Sequence, residues 1–191
     1  MPRIARVVAP GFPYHITQRG NRRQETFFSE DDYRSYISLM AEWCSLCEVE
    51  VWAYCLMPNH VHLIGVPKSE DSLRRAIGEA HRRYTRRVNF REGWRGQFCQ
   101  GRFASYPWSS ASAHLSRSDD SLVKVSPLLE IVGNWQEFLS QGDFVKDAKE
   151  IRRHERTGRP LGNRKFIVDL EKVLGRNFQY KKPGPKSKNK A

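Results

Sequence analysis

The run Met57-Pro-Asn-His-Val-His-Leu-Ile-Gly-Val66 constrains this chain more than any other stretch. Pro58-Asn59 is a turn signal between two apolar segments, Val49 to Leu56 and Val61 to Val66, so two strands follow one another through a tight turn. Strand side chains alternate between faces, which puts His60 and His62 on one face and turns Val61 to the core. Two neutral imidazoles held in this way suit a single divalent metal. A His-x-His among six histidines also arises by chance on a solvated edge strand, and the spacing alone does not separate the two readings.

Periodicity extends the pattern in both directions. Tyr14 to Arg19 reads as a first strand, and Ser29 followed by Asp32 resembles a capping box that opens a helix running to Leu46. In the second strand Val49, Val51, Ala53 and Cys55 alternate with Trp52 and Tyr54. A second helix, Ser69 to Phe90, carries the apolar stripe Leu73, Ile77, Ala80, Tyr84 and Val88, and Phe98 to Ser105 reads as a fourth strand. The order β-α-β-β-α-β predicts an α+β fold, a ferredoxin-like sandwich with helices on one face of an antiparallel sheet. The histidines then lie on a central strand.

Past Ser126 the pattern changes to short helical pieces at 127–132, 135–139, 144–156 and 164–174. The last eleven residues hold five lysines, two prolines and no acid, the composition of a disordered basic tail. The expected organisation is therefore one domain over 1–125, a helical C-terminal region over 126–178 and a tail over 179–191.

Charge narrows the partners. With 33 Lys plus Arg against 21 Asp plus Glu the net charge is +12, the footprint of a protein that meets a polyanion. No apolar stretch is long enough to span a bilayer, and Met1-Pro-Arg-Ile-Ala5 has no signal-peptide pattern, which predicts a soluble, cytoplasmic protein rather than one bound to membrane. Nine arginines and two acids fall between Arg74 and Arg102, with Arg75, Arg82 and Arg86 on the helix side away from the apolar stripe. Arg19, Asn21, Arg22 and Arg23 form a second candidate phosphate patch, where Gly20 permits close backbone approach. Arg102 and the tail lysines Lys181 and Lys182 complete the candidate DNA contacts. Cys44-x-x-Cys47 has the spacing of a zinc or redox pair, but Cys44 falls on a helical apolar stripe, so buried thiols are the expected state.

Four motifs in order, Pro13-Tyr-His-Ile-Thr-Gln-Arg-Gly-Asn-Arg22, Tyr54-Cys-Leu-Met-Pro-Asn-His-Val-His-Leu63, Gln100-Gly-Arg-Phe103 and Tyr106-Pro-Trp-Ser-Ser110, closely resemble the IS200-like transposases, in particular the group associated with repetitive extragenic palindromes. The resemblance runs to about Leu115, and Thr157-Gly-Arg-Pro-Leu-Gly162 is similar to that group's C-terminal region. It implies cleavage of single-stranded or hairpin DNA, with a divalent metal (Mg or Mn) held by His60 and His62 and a tyrosine as nucleophile. Relatives of this kind often pair with a second copy, so a homodimer is a further implied partner.

The family tyrosine sits on a helix after the Gly-Arg-Phe strand, with an Asn or Gln four residues on. Here Gln100-Gly-Arg-Phe-Ala-Ser105 runs straight into Tyr106-Pro-Trp-Ser-Ser110, so that helix is missing. Tyr106 is nearest to the lost segment and ranks first as a substitute, although Pro107 disfavours helix at that position. Tyr14, on a strand, and Tyr84, on a buried stripe, rank below it. Two classes of function stay open: a metal-dependent tyrosine DNA strand transferase, or a DNA-binding protein that has lost cleavage. A hydrolase in which the histidines activate water is the third.

Overall fold

The computed structural model describes residues 8–20, 24–94, 109–140 and 145–178. The chain enters through β1 (Tyr14–Arg19), α1 (Glu30–Leu46), β2 (Val49–Met57), β3 (His60–Pro67) and α2 (Ser72–Glu92), close to the spans that periodicity predicts. Described strands form one antiparallel sheet in the order β1-β3-β2, which makes the histidine strand central. The fold is α+β. The expected fourth strand, Phe98 to Ser105, lies outside the described residues.

Both helices pack on the same face of the sheet. Val61 and Leu63 of β3 share a core with Tyr36, Met40 and Cys44 of α1 and with Leu73, Ala76, Ala80, Tyr84 and Val88 of α2, while Ile77 is only half-buried. Gly65 continues that inward row, and a Cβ there would press between Val49 and Ile16. His60 and His62 therefore belong to the opposite face. Cys44 and Cys47 are buried free thiols, and burial pushes Cys44 up to about 12, far from the range of a metal ligand or redox thiol.

β2 departs from simple alternation. Val49 and Val51 are buried, but a register shift between Val51 and Ala53 makes Trp52 an extra residue and exchanges the two faces beyond it. Leu56 then points to the core opposite Val61, and Ala53 and Cys55 turn to the histidine face rather than continuing the row of Val49 and Val51. The α1 start also differs from a full capping box. Ser29 is the N-cap, but its hydroxyl caps nothing; Asp32 instead accepts from the Phe28 N–H at 2.9 Å and is clamped by Arg91 of α2 at 2.5 and 3.0 Å.

The chain divides into two compact units, one of them Val8–Gly142. Within it, α3 (Ala111–Ser116), α4 (Ser126–Val132) and α5 (Trp135–Ser140) follow the sheet. Ser110 N donates to Tyr54 O at 3.0 Å and Lys124 N to Val51 O at 2.8 Å, so this segment occupies the outer edge of β2. The other unit carries α6 (Val145–Thr157) and α7 (Arg164–Leu174), the latter capped by Asn163 Oδ1, which accepts from Phe166 N at 2.9 Å. Among the described residues no helix is long and apolar enough to cross a membrane.

Candidate metal and DNA site

Pairing across β3 decides what surrounds the histidines. On the β1 side, Thr17 stands opposite His62 and Arg19 opposite His60; on the β2 side Cys55 and Met57 take those places. Paired residues of antiparallel strands share a face, so all six occupy one patch of the sheet surface away from the helices. The imidazoles of His60 and His62 lie 5.1 Å apart, centroid to centroid, at 70° to each other.

A third imidazole joins them. His15, two residues before Thr17 on β1, stacks on His62 at 5.0 Å and 12°, with its Nε2 2.8 Å from His62 Nδ1. On the other side His60 Nδ1 is 2.6 Å from the Asn59 side-chain oxygen. The sequence does not single out His15, since nothing local marks a residue that becomes a neighbour only through strand register. Its one signal is a place in the same alternation as Thr17 and Arg19.

Both predicted ligands are neutral at physiological pH. Burial, and then the charge of Arg19, hold His60 at about 4; burial, and then His15 and His60, hold His62 at about 3. A neutral imidazole offers a lone pair, which is the state a metal needs. With Nδ1 of each ring engaged, Nε2 is the donor atom left, and both Nε2 atoms are shielded from water. The residues fit a divalent ion that accepts imidazole nitrogen beside oxygen, more comfortably Mn²⁺ than Mg²⁺. Among the described residues no group of three His, Cys, Asp or Glu forms a complete cage, so water or phosphate oxygens would fill the other positions.

Arg19 is not part of an open patch. It is buried beside His60, at 8% exposure, which sets a cation against the candidate ligands. Asn21, Arg22, Arg23, Arg102, Lys181, Lys182 and Tyr106 lie outside the described residues. Gly20 does allow a close backbone approach, but of the protein's own chain: its N–H donates to Asn59 O at 2.8 Å, and a Cβ would collide with the Gln24 carbonyl.

Arg75, Arg82 and Arg86 are exposed on α2, across the sheet from the histidines. They are less bare of acids than the i,i+4 pattern suggests, because partners sit at i,i+3: Arg82 pairs with Glu79 at 2.5 Å and Arg74 with Asp71 at 3.1 Å. Arg75 and Arg86 make no ion pair among the described residues. Arg82 and Arg86 border a shallow concavity of about 530 Å³ that also includes Thr85, Asn89, Phe90 and Trp94.

The five described tyrosines stand away from the histidine patch. Tyr33 and Tyr36 are core residues of α1, and Tyr84 is buried with its hydroxyl donating to Thr26 O at 2.6 Å. The Tyr54 hydroxyl donates to Asp120 at 2.8 Å, and that of Tyr14, on the helix-facing side of β1, accepts from Ala9 N at 2.5 Å.

Residues 9–117, more than half of the chain, match the family profile described as transposase IS200 like. The chain belongs to the IS200-like transposase family. Among solved structures, this transposase-family chain is similar to a REP-associated tyrosine transposase bound to a REP hairpin, with 20% identity and a TM-score of 0.43. The likeness spans 55% of this chain and 60% of that one. No curated protein matches this IS200-like chain.

Proposed function

We propose that this protein processes single-stranded or hairpin DNA as an IS200-like transposase, holding a divalent metal, Mg or Mn, at His60 and His62. The observation that carries the reading is the pair of neutral imidazoles, side by side on the face of β3 turned away from the helices, with Arg19 beside them. A bound divalent ion would supply charge stabilisation at a scissile phosphate. The chain's own groups supply the rest: the imidazoles present lone pairs, and Arg19 offers a guanidinium to a non-bridging phosphate oxygen.

Cleavage requires a tyrosine oxygen to attack phosphorus, forming a 5′-phosphotyrosyl bond while the bond to the 3′-oxygen breaks and that oxygen leaves as a hydroxyl. Tyr106 is the proposed nucleophile, because it is nearest in sequence to the missing helix and the five described tyrosines are committed elsewhere. The group associated with repetitive extragenic palindromes, whose motif wording this sequence resembles, suggests a hairpin as the DNA. A homodimer and a cytoplasmic location belong to the same reading.

A second reading has its own observation. The stretch from Gln100 to Ser110 omits the family's tyrosine helix, and no described tyrosine reaches the histidine patch, which favours a DNA-binding protein without cleavage. The experiment that separates the two is incubation with labelled single-stranded hairpin DNA and Mg²⁺ or Mn²⁺, followed by a denaturing gel. A covalent adduct mapping to Tyr106 supports the transferase. Retarded DNA with no adduct supports the binder.

A further inference from the structure

The proposed metal site rests on two imidazoles, but an imidazole binds metal only if the proton of its neutral form sits on the other nitrogen. In water both tautomers coexist, so a site that leaves the choice open loses part of its affinity to the wrong form. At this site the choice is not left open. Each histidine has a neighbour against its Nδ1, and the two neighbours come from different parts of the fold.

We propose that Asn59 and His15 are the positioning residues of the metal site, accepting the Nδ1–H of His60 and of His62 so that the lone pair of each ring is left on Nε2, the atom that would take the metal. This deepens the metal reading above and depends on it. For His60 the acceptor is the side-chain oxygen of Asn59, 2.6 Å from Nδ1. Asn59 is itself anchored, since its backbone oxygen accepts from Gly20 N at 2.8 Å and so ties the β2–β3 turn to the end of β1. For His62 the acceptor is His15 Nε2, 2.8 Å from Nδ1, with the two rings stacked within 12° of parallel.

The alternative role for His15, a third ligand, fits the geometry less well. Its Nε2 is turned to the nitrogen of His62 that faces away from the metal position, and no three-residue ligand group forms among the described residues. The lone pairs on Nε2 and the acceptors against Nδ1 therefore belong to opposite edges of each ring. Hydrogen bonds to the far nitrogen of a metal-bound histidine fix its tautomer and raise its basicity, and their loss typically costs about 10- to 100-fold in metal affinity. A His15→Gln change keeps an acceptor at similar reach, whereas His15→Phe keeps the ring and removes the acceptor.

The test uses the full chain, ¹⁵N-labelled and metal-free, at pH 7.5. Long-range ¹H–¹⁵N correlation should show His60 and His62 both as Nδ1–H tautomers. In His15→Phe the His62 ring should shift toward the Nε2–H form with His60 unchanged; Asn59→Leu should do the converse; His15→Gln should restore the wild-type pattern. Titration with Mn²⁺ by calorimetry should show affinity about 10-fold or more weaker in His15→Phe and in Asn59→Leu, recovered in His15→Gln. Finding His62 as Nε2–H in the wild type, or Mn²⁺ binding that needs His62 but ignores His15→Phe, overturns the positioning role alone. Wild-type protein that binds Mn²⁺ no better than His62→Ala overturns the metal reading beneath it.

Discussion

At the scale of single residues the proposed metal site is a matter of which protons are absent. His60 at about 4 and His62 at about 3 stay uncharged through the range where DNA chemistry occurs, and burial is the first cause for each. His60→Ala removes one of the two proposed ligands without touching the arginines on α2. Metal-dependent cleavage should fall at least about 100-fold while hairpin affinity changes less than about 3-fold, since phosphate contacts dominate nucleic-acid affinity. Gel cleavage beside a binding titration checks this, and equal losses in both would remove His60 from the metal role. His60 and His62 were legible because strand alternation acts locally, at i and i+2. His15 and the burial of Arg19 were not, because both follow from which β1 residue pairs with which β3 residue, a long-range fact that no spacing encodes.

Secondary elements were legible to within a few residues where apolar periodicity was strong, as in α1, α2 and the four C-terminal helices. Their exceptions have local causes. One extra residue at Trp52 exchanged the faces of β2, and bulges leave no clear mark in a polar-apolar pattern. The helix layer holds a charge: Asp32, which the sequence offers as half of a capping box, is fully buried and is neutralised by Arg91 from the end of α2. Removing one partner strands the other, so Arg91→Ala should lower unfolding free energy by about 3 kcal/mol, read by urea denaturation, whereas Arg82→Ala, which breaks an exposed pair, should leave the urea midpoint nearly unchanged. His81 gives the same layer a pH signature. Burial holds it at about 4, against Tyr36 at 2.7 Å. Its folded pKa lies below the unfolded value of about 6.5, so the unfolded chain binds the extra proton. Stability is complete above that value and declines as pH falls from 6.5 toward 4. Melting curves in EDTA should show a shallower acid decline in His81→Gln than in the wild type; parallel curves would mean that His81 takes up its proton as readily in the folded protein as in the unfolded chain.

Over the whole Val8–Gly142 unit, the sheet separates two surfaces that a linear reading merges into one DNA footprint. The histidines, Arg19 and His15 lie on the side free of α1 and α2, and Arg75 and Arg86 project from α2 on the other. Composition points to a polyanion partner but not to the face that would meet it, because net charge carries no direction. If both surfaces touch one DNA, the strand must pass around the sheet edge, with the α2 side supplying affinity and the histidine side supplying chemistry. The two should then be separable. Arg75→Ala with Arg86→Ala removes two cations that form no ion pair among the described residues, so the slope of log K against log salt for a single strand should become less steep by about 1.4, at about 0.7 for each phosphate that is no longer neutralised. Mn²⁺ affinity should stay within about 2-fold of wild type, because no part of the histidine patch touches that helix face. An unchanged salt slope would mean that DNA does not visit α2, and a slope change accompanied by weaker Mn²⁺ binding would mean that the two surfaces are coupled through the sheet.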